Sequence, residues 1–232
     1  MAIPSAHAAN DGLNTLLRVA ASAAVGNVSS TAEDNTAFLT RCKREVLAQS
    51  PDASRQVDSI CGSQWDMVIA STPMAAALLA AAPAANARFS AATARSAMKA
   101  VRWNSKPAAG QVATGRMKDI GVGIATAPAA TISLDWFKNG EPIPFDLPEA
   151  LKSKGAQLTR MGCYALGAGE GGSAYRVTSP GKAPFSVMIN FREAAVASQS
   201  STYSAAADFS GRIPTLSNLV RDGNEWTASC SR

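Results

Sequence analysis

Histidine is nearly absent: the chain's 232 residues hold one, His7, close to the start. No Ser-His-Asp triad or Cys-His dyad can then draw its base from the body of the chain. HExxH and other histidine-rich metal sites are excluded, and no metal or cofactor is expected. No CxxC occurs among the four cysteines, so zinc ribbons and thioredoxin-type chemistry lack their ligands. Aromatic residues make up only 6% of the chain. No apolar run reaches the roughly 18 residues of a membrane span; the nearest, Met74 to Ala85, is mostly alanine. Leu, Ile, Val and Phe total 43 residues against 47 alanines, so the chain is Ala-rich. A net charge of +5 with 47% hydrophobic residues still describes a folded, Ala-rich globular chain.

Phosphate-binding loops are missing as well. Gly167-Ala168-Gly169-Glu170-Gly171-Gly172 lacks the third glycine at dinucleotide spacing and no long helix follows, so it reads as a hairpin loop. Gly121-Val122-Gly123 lies inside a strand pattern and indicates close packing or a bulge. Ser105-Lys106 and Ser153-Lys154 are adjacent pairs, not the SxxK spacing of a serine-lysine enzyme. The carboxylates Asp135, Glu141, Asp146, Glu149, Glu170, Glu193, Asp208 and Glu225 include candidates for paired acid-base work. Spacing alone brings no two of them together.

Four cysteines, Cys42, Cys61, Cys163 and Cys230, form an even set at wide intervals, as in chains from oxidising compartments. Three pairings are possible, and Cys42–Cys61 with Cys163–Cys230 keeps each bridge within one half of the chain. Ala6-His7-Ala8 fits the A-x-A that ends a signal peptide, though the apolar run and basic start that normally precede it are missing. Together these features point to a periplasmic or secreted protein.

Three regions follow from texture. Residues 1–33 read as a flexible N-terminal segment with a signal-peptide remnant and a first helix over Leu13 to Val25. Residues 34–109 read as helical. Phe38, Leu39, Cys42, Val46 and Leu47 make one stripe. Ser50-Pro51 starts a second helix, whose stripe is Val57, Ile60, Cys61, Gln64, Trp65, Val68 and Ile69. Ser71-Thr72-Pro73 repeats the start signal for a short third helix. Cys42 and Cys61 then staple a helical hairpin.

Residues 110–232 turn to short segments punctuated by Gly and Pro. Strands are expected at 111–117, 120–126, 131–138, 156–166, 173–178, 184–192, 201–209 and 225–230. Asn139-Gly140 marks a hairpin turn. Short helices are expected over Leu147 to Lys154 and Pro214 to Asp222. The fold class is α+β: a disulfide-stapled helical region, then an antiparallel β-rich region with one or two short helices.

Charge is the most informative feature. Between Met67 and Lys118 there is no Asp or Glu, while Arg88, Arg95, Lys99, Arg102, Lys106, Arg116 and Lys118 fall in that stretch. Arg95, Lys99, Arg102 and Lys106 recur at i, i+4, i+7 and i+11, so a helix over Ala91 to Lys106 would align them on one face beside Trp103. Tyr203 lies in the polar run Ser198 to Ser204, a strand with one open face able to meet sugar hydroxyls. The leading expectation is a non-enzymatic binding protein of the cell envelope. It would contact an anionic polymer or a protein partner through Arg95, Lys99, Arg102, Trp103 and Lys106. Nucleic acid is not expected, because no zinc-finger, RNP or basic-zipper pattern occurs. The alternatives are a carboxylate-dependent hydrolase of an envelope polymer, and a structural or assembly subunit.

Overall fold

The computed structural model describes residues 34–139, 145–167, 170–192 and 200–211, with backbone alone at 137–139, 163–167, 170 and 200. Helix α1, Asn35–Gln49, is opened by Asp34, whose carboxylate accepts the amide of Ala37 at 2.8 Å. Its buried residues, Phe38, Cys42 and Val46, are the centre of the expected stripe. Pro51–Arg55 forms a single 3₁₀ turn, and the long helix α2, Val57–Ala81, begins after it. The second start signal therefore opens a turn rather than the helix itself. Cys42 and Cys61 are disulfide-bonded across α1 and α2, with Cα atoms 5.9 Å apart.

No third helix starts at Ser71. Helix α2 runs straight through Pro73. Ser71 and Thr72 do not cap: their hydroxyls donate back to the carbonyls of Met67 and Val68, at 2.8 and 2.9 Å. Pro73 is exposed, as is Ile69, whose carbonyl loses its intrahelical donor there. The buried series continues beyond the proline through Met74, Ala75, Leu78 and Ala81, and this packing overrides the break. Ile69, expected on the buried stripe, is 52% exposed because that series passes through Val68 and Ser71 instead.

Helix α3, Ala91–Ala97, is short. Eight strands follow: β1 Arg102–Trp103, β2 Ala113–Met117, β3 Ile120–Ala125, β4 Thr131–Asn139, β5 Gln157–Gly167, β6 Glu170–Thr178, β7 Phe185–Arg192 and β8 Ser200–Asp208. Helix α4, Leu147–Ser153, separates β4 from β5 and gives way to Gly155 at φ 82°. All pairings are antiparallel, in the order β1-β2-β3-β4-β8-β7-β6-β5. Two four-strand meanders thus meet where β4 pairs with β8. The fold is α+β, as expected, and the seven longer strands match seven of the eight expected ones. The expected strand 225–230, the helices at Leu13 to Val25 and Pro214 to Asp222, and the bridge to Cys230 lie outside the described residues.

The turn expected at Asn139-Gly140 lies outside the described residues from Gly140 on. The neighbours of β4 are β3 and β8, and the next described element is α4. Asn139 pairs with Ser200, some 60 residues on. The β5–β6 connection is a hairpin, with Gly167 opposite Glu170.

One hydrophobic core joins helices and sheet, with Val68, Leu78, Met98, Ile124, Leu134, Leu151 and Val187 in it. The alternation of β4 and β8 sends Ile132, Leu134 and Trp136, with Ala205 and Ala207, toward the helices. The opposite face carries Thr131, Ser133 and Asp135 beside Ser204, Ala206 and Asp208. Among the described residues, no helix is long and apolar enough to cross a membrane.

Candidate functional site

The expected basic helix face does not form. Helix α3 ends at Ala97, so only Arg95 of the four cations lies on it. Met98 leaves helical geometry at ψ 59°, and the chain turns so that Met98 and Val101 both enter the core. Arg102 and Trp103 then pair with Arg116 and Gly115 of β2. Burying two apolar side chains and gaining a strand ladder outweighs two further turns of exposed helix.

The turn still brings part of the set together. The Arg95 guanidinium lies 5.6 Å from the centre of the Trp103 ring. Arg102 is adjacent to Trp103 on β1, and Arg116 stands directly opposite Arg102 on the helix-free face of the sheet, the face that none of the described helices covers. Lys99 lies in the exposed turn before β1 and Lys106 in the exposed segment after it. Arg95, Lys99, Arg102, Lys106 and Arg116 are all exposed, and among the described residues none of them makes an ion pair. Arg116 is the member that helical spacing missed. Only a strand pairing of 102 with 116 reveals it.

Glycine shapes this edge. A Cβ on Gly115 would lie 2.6 Å from the Arg102 carbonyl oxygen and 2.7 Å from Val101 Cγ1. The Gln111 side chain lies over Gly123, where a Cβ would overlap it. Of the close packing or bulge expected at Gly121-Val122-Gly123, close packing is found at Gly123, whereas a Cβ on Gly121 would meet nothing closer than 3.7 Å. The buried Gln111 Oε1 has no hydrogen-bond partner.

Of the candidate carboxylates, Asp146 and Glu149 come together elsewhere, while Glu141, Glu193, Glu225 and the side chain of Glu170 lie outside the described residues. Asp146 and Glu149 both belong to the start of α4, where α1, α2 and the sheet converge, and both are buried. Asp146 Oδ1 accepts the amide of Glu149 at 3.1 Å as N-cap, and the Asp146 amide donates to Ser71 Oγ of α2 at 2.8 Å. Glu149 is held by Arg41 of α1 at 2.7 Å and by Lys152, itself buried, at 2.6 Å. Arg41 also reaches Glu45 at 3.2 Å. Burial and the adjacent Glu149 push the Asp146 carboxyl up to about 7, against the amide of Glu149 and the charges of Lys152 and Arg41. These contacts make the cluster a buttress between helices: both Glu149 oxygens are held in ion pairs, and Asp146 is used as a cap. Asp135 lies apart on the helix-free face, with its carboxyl pushed up by partial burial.

The Tyr203 side chain is partly buried rather than open to solvent. It packs on the helix side, with its ring centre 5.2 Å from Trp136 and 4.8 Å from Phe145. Burial raises its hydroxyl pKa well above the usual value, and nearby Asp146 and Tyr175 add to this. The strand's open face is Thr202 and Ser204 instead, one register step either side. No three His, Cys, Asp or Glu side chains among the described residues converge as a metal site. No family model, curated protein or solved structure matches this chain.

Proposed function

We propose that the protein is an exported, non-enzymatic binding protein of the cell envelope, which contacts an anionic polymer through the cationic corner around β1. The observation that carries this reading is the meeting of Arg95, Trp103, Arg102 and Arg116 at an exposed sheet edge, with no carboxylate partner for the arginines among the described residues. Like charges directly opposite on neighbouring strands are destabilising. An anion bridging them turns that cost into two charge-assisted hydrogen bonds. Lys99 and Lys106 flank the pair and extend the positive field. The Cys42–Cys61 bridge is consistent with an oxidising compartment.

The test is co-sedimentation of the oxidised protein with isolated envelope fractions at low and moderate salt, beside a variant with Arg95, Lys99, Arg102 and Lys106 changed to Ala. Binding that falls with salt and in the variant is expected. Binding insensitive to both, or none at either salt, overturns the reading.

A further inference from the structure

The cationic corner opens onto the helix-free face of the sheet. The strand registers place Arg102, Arg116, Gly121, Asp135 and Ser204 side by side on that face, one residue from each of β1, β2, β3, β4 and β8. Four interstrand spacings make this row about 19 Å long. Its chemistry changes along its length. Two guanidinium groups start it. Gly121 leaves an open floor, since a Cβ there would meet nothing closer than 3.7 Å. Asp135 and Ser204 close it with an acceptor and a hydroxyl, and the exposed Thr202 adds another hydroxyl beside them. On the flank, the Gln111 side chain lies over Gly123. No described side chain in the row is aromatic or aliphatic.

We propose that the ligand is a linear acidic polysaccharide that runs from the Arg102–Arg116 pair along this row to Ser204. The inference rests on the corner being a binding surface and names what it binds. A polymer charged at every unit, such as polyphosphate or nucleic acid, would place a negative charge against Asp135. A chain that alternates acidic sugars with neutral ones fits instead. A carboxylate of the chain sits between the arginines, and neutral-sugar hydroxyls donate to Asp135. Single-stranded nucleic acid also needs stacking rings, which the row lacks among its described side chains.

The experiment measures binding of the full, oxidised protein to hyaluronan, a linear chain of alternating glucuronate and N-acetylglucosamine, beside polyphosphate and neutral dextran. The variants are R102A/R116A, D135A and S204W, with K154A as a distant control and circular dichroism to verify folding. T202W replaces S204W should that variant misfold. Hyaluronan is expected to bind and dextran not. R102A/R116A, D135A and the tryptophan variant should each weaken hyaluronan at least tenfold, with K154A unchanged. D135A should at the same time strengthen polyphosphate several-fold. If D135A strengthens both polyanions alike, or if D135A and the tryptophan variant leave hyaluronan unchanged while R102A/R116A weakens it, the track is overturned and the corner stands. If wild type binds neither polyanion, the track and the corner's preference for anions both fall.

Discussion

Asp146 carries a proton in the folded protein across a range of pH in which the unfolded chain has lost it. Its carboxyl rises from 3.8 to about 7 because it is buried beside Glu149. Between those two values the folded state binds more protons, so this group's contribution to stability falls as pH rises through the window and is level above it. Asp146→Asn keeps the capping acceptor and removes the titration. Urea midpoints for the two proteins should therefore diverge from acid toward neutral pH, with the variant gaining on wild type. Parallel curves would show that Asp146 is ionised throughout. Two glycines give a second contrast at this scale. Gly115→Ala drives a Cβ into the Arg102 carbonyl at 2.6 Å and should cost about 1–3 kcal/mol. Gly121→Ala has 3.7 Å of room and should stay within about 0.5 kcal/mol of wild type by the same denaturation assay.

Among the elements, the α1–α2 pair was the most legible. The stripe through Phe38, Cys42 and Val46 and the matching stripe through Ile60, Cys61 and Val68 are local signals, and each recurs in the structure. The bridge closes a separation of 19 residues. Changing Cys42 and Cys61 together to Ser should lower unfolding free energy by about 3 kcal/mol, the loop-closure entropy restored to the denatured chain. Equal midpoints for the two proteins would mean that α1 docks without the bridge. Pro73 was misread because a start signal and an interior proline look alike in sequence. What separates them is whether the buried face continues beyond, and here Met74, Ala75 and Leu78 carry it on. Residues 91–106 were misread for a related reason. Their spacing suits a helix, but the pairing of Arg102 with Arg116 is supplied by a strand 14 residues away.

Across the whole molecule, α2 and α4 pack together with α1 docked on α2, the two meanders join at β4 and β8, and a single core crosses all of them. The turn at Gly181 and Lys182 is tied to the end of α2, with Lys182 Nζ donating to the Ala82 carbonyl at 2.9 Å and the Ala183 amide to that of Pro83 at 2.9 Å. A molecule so joined should unfold in one calorimetric transition, with far-ultraviolet and tryptophan signals coincident. Two transitions would separate the helical region from the β-rich one. Residue 110, where the β-rich region was expected to begin, lies between β1 and β2.

By itself the sequence determined the kinds of element, most of their limits, the α+β class and the Cys42–Cys61 staple. Each of these is a matter of neighbours within a turn or two of chain, or of two stripes joined by a short turn. Tertiary structure alone decided that β4 pairs with β8, that Arg41 meets Glu149 across 108 residues, and that Arg116 stands beside Arg102. Such contacts come from burying distant apolar faces together, and the polar partners are whichever groups that burial brings within reach. The cations were legible as a group because an acid-free run is a property of composition. Their arrangement was not, because burial of Met98 and Val101 turned the chain between them.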